Sequence, residues 1–70
     1  MHRTYSEAYA HHYPRFQQAY RVAGAAGCRH ARADIYATLA LHPEQSPYTG
    51  KLMAELDAIR DRLMAIGGAA

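Results

Sequence analysis

The sequence predicts an all-α protein built from three helices, and three observations carry that expectation. Apolar residues recur at helical spacing in two long stretches, alanine is abundant while β-branched residues are few, and Gly24 with Gly27 and Pro43 with Pro47 mark two internal boundaries. Tyr5, Tyr9, Tyr13, Phe16 and Tyr20 lie four, four, three and four residues apart. At about 100° per residue they fall within an arc of roughly 80°, so one helix face holds most of the aromatic rings. Short connections between successive helices predict antiparallel neighbours.

The first helix is expected over about 4–24. Thr4-Tyr5-Ser6-Glu7 fits a capping box, in which hydroxyl and carboxylate satisfy free backbone N–H groups reciprocally. Pro14 removes one intrahelical hydrogen bond and crowds the carbonyl four residues back. It is expected either to kink the helix or to break it, and the unbroken phase of the aromatic stripe favours the kink. The stretch from Ala23 to Gly27, with glycines three apart, reads as the end of this helix.

A second helix is expected over about 28–41, with Cys28, Ala31, Ile35 and Leu39 as its core line and Ala33, Ala37 and Ala40 opposite. His42-Pro43 stops it, because the residue before proline is driven out of the α region. Ser46-Pro47 opens the third helix, expected over about 47–66, with Ser as N-cap and Pro at the first helical position. Its stripe of Tyr48, Leu52, Leu56, Ile59, Leu63 and Ile66 approaches a coiled-coil seam. Met53 and Met64 widen that face, with Arg60 between them. Glu55, Asp57 and Asp61, interleaved with Lys51, Arg60 and Arg62, read as a solvated charged surface. Gly67-Gly68 ends the helix and Gly67 to Ala70 are expected to fray.

Seventy residues make one domain, 1–70, near the lower size limit for an independent core. Partial cover by a partner or a second copy is therefore expected, and a homodimer in particular. No apolar run approaches the roughly 18 residues of a membrane span. The start of the chain lacks the layout of a signal peptide, and the single cysteine allows no internal disulfide, so the expected location is cytoplasmic. Residues 1–35 hold five arginines against two acids, net +3, while residues 36–70 hold three bases against four acids, net −1. That basic half would suit an acidic partner or nucleic acid.

No pattern for catalysis emerges. Five histidines and one cysteine show no paired ligand spacing, so neither a metal site nor a cofactor is expected. Cys28 sits on a core line with His30 about 200° away around the helix, which is no nucleophile–base pair. Phosphate-cradling glycine motifs are absent. A non-enzymatic protein is expected, acting by contact with another protein. Six tyrosines and no tryptophan give many rigid, amphipathic rings suited to interfaces. The expected contact residues are Tyr9, Tyr13, Arg15 and Arg21 around Pro14, with Met53, Arg60 and Met64 on the third helix.

In size, Ala/Arg-rich composition and lack of catalytic motifs the chain resembles the small accessory proteins of bacteriophages and mobile elements. That resemblance implies inhibition of a host regulator or defence complex by binding. The alternative rests on Val22 to Cys28, which resembles the helix-turn-helix signature at Ala23, Gly27 and Cys28. It implies a DNA-binding regulator with Arg29, His30 and Arg32 at the start of its recognition helix. Ala33, where that family has a larger apolar residue, and the long first helix depart from the pattern.

Overall fold

The computed structural model describes residues 3–67, which form three α-helices and no strand. These are α1 (Tyr5–Ala19), α2 (Ala25–Ala40) and α3 (Pro47–Ala65). The capping box of α1 is present: Thr4 Oγ1 accepts from the Glu7 N–H at 3.1 Å, and the Glu7 carboxylate accepts from the Thr4 N–H at 3.1 Å. The helix continues unbroken through Pro14, which lies on its exposed side. Of the two expectations for that proline, the break is thereby corrected.

α1 stops five residues earlier than expected. The Tyr20 amide still donates to Phe16, but the Ala23 amide then turns back onto the Tyr20 carbonyl. Arg62 fixes this turn by donating from Nε to the Ala23 carbonyl at 2.9 Å. The two glycines assigned to the end of the first helix belong to the second. Gly24 is the extended N-cap of α2 and Gly27 lies inside it, neither with positive φ. α2 ends before His42-Pro43 as expected, and Ser46 caps α3. Ser46 Oγ accepts from the Thr49 N–H, and Thr49 Oγ1 accepts from the Ser46 N–H while donating to the Glu44 carbonyl. The buried Thr49 hydroxyl is thus fully used. Gly67, at φ 72°, closes α3; residues 68–70 of the expected frayed end lie outside the described residues.

α3 is the central helix. It packs against α1 and α2, which do not approach each other. Its buried residues form two lines. Gly50, Ala54 and Ala58 recur every four residues, while Leu56, Ile59 and Leu63, with Leu52, make the other. The two lines lie roughly 170° apart at about 100° per residue. The larger side chains meet Cys28 and Ile35 of α2, and the turn at 41–46 joins these helices into an αα-hairpin. The small residues receive α1.

Along that second contact the numbering rises together on both helices. The Tyr5 backbone lies on Gly50, the Tyr9 hydroxyl meets Asp57, and the Tyr13 hydroxyl meets Asp61. α1 and α3 therefore run parallel, as the first and third legs of an up-down-up path. With neighbours on opposite sides of α3, the Cα trace is a slab of 34 × 23 × 13 Å.

Among the described residues, Ile35, Leu56, Ile59 and Leu63 are the only large aliphatic side chains that are buried. Fully burying each contributes about 1.5–3 kcal/mol, a modest sum for a domain. Backbone proximity at the α1–α3 contact has to supply much of the rest. A Cβ on Gly50 would land on the Tyr5 carbonyl oxygen and 3.0 Å from its Cα. Gly50→Ala is expected to destabilise by about 1–3 kcal/mol despite alanine's better helix propensity. At Gly27 a Cβ meets nothing within 4 Å. Gly27→Ala is expected to stabilise by about 0.5–1 kcal/mol. Urea unfolding of the two variants checks both signs.

Candidate interaction face

The tyrosines of α1 lie along α3, and the hydroxyls of Tyr9 and Tyr13 are spent on its acids. Tyr5 and Tyr9 stack with centroids 6.4 Å apart, and Tyr9 and Tyr13 at 5.4 Å. Four-residue spacing on α1 is matched by four-residue spacing on α3. Tyr9 donates to Asp57 and Tyr13 donates to Asp61. Arg60 lies against both carboxylates, at 3.8 Å from Asp57 and 3.5 Å from Asp61. Farther along, the Tyr20 hydroxyl donates to Glu55 at 2.7 Å.

The acids read from the sequence as a solvated charged surface are therefore acceptors that hold α1. Pattern alone missed this because Asp57 and Asp61 differ from exposed helical acids only in what faces them. The repeated separation of 48 residues in the two pairs is the one available signal.

These bonds raise the phenol pKa values. The hydrogen bond to Asp57, followed by burial, pushes Tyr9 up to about 12. The bond to Asp61, followed by burial, raises Tyr13. For Tyr20 burial comes first and the Glu55 bond second, again upward. In each case the carboxylate stabilises the neutral phenol that donates to it and opposes a second negative charge.

The two long edges of α3 left between its neighbours are not equivalent. One is crossed by the turn at 20–24, held by Tyr20–Glu55 and Arg62–Ala23. The other stays open and carries Met53, Arg60 and Met64, which share one strip of the helix surface. Met64 is 69% exposed. Between this strip and α2 lies a cleft of about 210 Å³ lined by Arg32, Tyr36, Leu56, Asp57 and Arg60. Tyr36 is 56% exposed, and Arg32 has no hydrogen bond or ion pair among the described residues.

Five of the seven expected contact residues gather here. Tyr9 and Tyr13 form the α1 border, and Met53, Arg60 and Met64 the floor and ridge. Arg15 is elsewhere, on the outer side of α1, with Nε donating to His11 at 3.0 Å. Arg21 lies in the turn after α1, in a depression shared with Gln17, Asp61 and Arg62.

The helix-turn-helix arrangement is not reproduced, because Gly27 is inside α2 and α1 does not pack on α2. Arg29 and His30 are exposed, His30 lying 3.6 Å from Asp34, while Arg32 lines the cleft. Cys28 is wholly buried in the core. Among the described residues no three His, Cys, Asp or Glu side chains converge on a metal position. Among the described residues no helix is long and apolar enough to cross a membrane.

The tyrosine bonds predict an alkaline limit. A phenol with pKa about 10 when unfolded and about 12 when folded lends stability that is intact below pH 10 and lost between pH 10 and 12. Tyr9→Phe is expected to flatten that part of the stability–pH curve, followed by tyrosinate absorbance together with urea unfolding. At neutral pH Tyr20→Phe should cost about 1.5–3 kcal/mol, the usual loss for a hydrogen bond to a charged acceptor. No family model, curated protein or solved structure matches this chain.

Proposed function

We propose that the chain is a small, non-enzymatic protein–protein interaction module that docks through the open edge of α3. The single observation that carries this reading is the uneven cover of α3. One edge is closed by a pinned turn, while the other exposes Met64 and Tyr36 beside the cleft over Leu56. Methionine adapts to irregular surfaces, and tyrosine, with a rigid ring, anchors interfaces with little loss of conformational entropy. Arg32 and Arg60 supply donors for carboxylates or carbonyls of the docked protein. The finer reading, an accessory protein that inhibits a host regulator or defence complex, requires only that the docked protein be occluded. A buried lone thiol suits a reducing compartment, and we place the protein in the cytoplasm.

Affinity capture from the cells that make the protein tests this. Wild type is expected to retain a discrete partner. A Tyr36→Asp, Met64→Asp double variant, with unchanged circular dichroism, should lose it, while Arg15→Glu on the outer side of α1 should keep it. Equal capture by all three would overturn the assignment of the face. Steeply salt-dependent binding of duplex DNA, lost on changing Arg29 and His30, would favour the regulator reading.

A further inference from the structure

We infer that one occupant of the open edge is a second copy of this chain, seated face to face about a two-fold axis parallel to α3. This rests on reading that edge as a protein-binding surface and adds which protein covers it and in what orientation.

Area gives the first argument. The broad side of the slab spans 34 × 23 Å between Cα extremes, which leaves room for an interface of the roughly 800 Å² per partner that stable complexes bury. A domain whose core holds so few large aliphatic side chains gains most from covering that side. Charge layout gives the second. Across the open edge Asp57 and Asp61 bond to Tyr9 and Tyr13 on the α1 side, Arg60 lies on the ridge, and Arg32 lines the cleft toward α2, which Asp57 also reaches. Arg32 is a cation without a hydrogen-bond or ion-pair partner among the described residues, so a copy that brings a carboxylate to it completes a pair.

Only some two-fold axes do so. An axis across the slab, perpendicular to α3, places α1 on α1 and α2 on α2. Arg32 then faces Arg32, and the two acids face their own copies, which is repulsive. An axis parallel to α3 exchanges the sides. Arg32 of each copy then lies over Asp57 and Asp61 of the other, twice by symmetry. The ridges meet in register, so Met53 and Met64 each face themselves. Arg60 meets Arg60 with its charge already offset by two carboxylates of its own chain.

Sedimentation equilibrium from the micromolar to the millimolar range is expected to show a monomer–dimer equilibrium that weakens as salt rises. Arg32→Glu should raise the dissociation constant by about tenfold or more, because two interfacial charge pairs are lost. Met64→Cys should form a disulfide-linked dimer on mild oxidation, since the parallel axis brings the two positions together. The perpendicular axis would hold them about 18 Å apart at 1.5 Å per residue. Val22→Cys, exposed outside this edge, should not link.

A monomer throughout overturns the inference. So does a dimer indifferent to Arg32→Glu, or one in which Met64→Cys fails to link. A monomer that still captures its partner, and loses it on Tyr36→Asp, Met64→Asp, sinks the inference and leaves the protein-binding reading standing.

Discussion

The close seating of α1 on the Gly50–Ala54–Ala58 line of α3 is the constraint on which the other features depend. A glycine is required at the first of these positions because the Tyr5 backbone occupies the space a Cβ would take. Ala54 and Ala58, both essentially without exposure, carry the same low profile along two further turns. Helices that approach this closely gain many small dispersion contacts instead of a few large buried side chains. This contact helps a seventy-residue chain hold three helices around so few large aliphatic residues.

Once α1 lies in that position, the rest of its chemistry is set. Its Tyr9 and Tyr13 rings are too large to enter the small-residue contact and instead flank it, with hydroxyls reaching acids on α3. Tyr9 and Tyr13 meet Asp57 and Asp61, Tyr20 reaches Glu55, and Arg62 ties down the turn that follows. α2 takes the opposite side of α3, where the leucines and isoleucines are. Because α1 and α2 are held apart by the helix between them, one edge of α3 remains uncovered. The same contact that stabilises the fold thus leaves the surface proposed for binding.

The elements with local chemical signals were legible in the sequence. Thr4 with Glu7, and Ser46 with Pro47, mark helix starts by side chains that act within one turn, and both caps form as read. The leucine and isoleucine line of α3 was legible for the same reason: its period is written in large residues. The small-residue line was not, because glycine and alanine in an alanine-rich helix look like ordinary helix filler. Without that line, α1 had no visible partner, and Asp57 and Asp61 had no reason to be other than solvated. The glycines at 24 and 27 misled because their frequent role at helix ends was assigned to α1, whereas Gly24 caps the start of α2. Tyr9, Tyr13, Met53, Arg60 and Met64 carry interface chemistry visible in the sequence, and the fold brings them to one edge. Arg15 and Arg21 had the same chemistry but lie on other surfaces.

The central claim, that α1 runs parallel to α3 in contact with its small residues and apart from α2, is most directly tested by inter-helix nuclear Overhauser effects in the intact protein. The expected contacts are Tyr5 to Gly50, Tyr9 ring protons to Asp57, and Tyr13 ring protons to Asp61, with none between α1 and α2. Contacts from Tyr5 to the last turn of α3, or a continuous series between α1 and α2, would contradict the account.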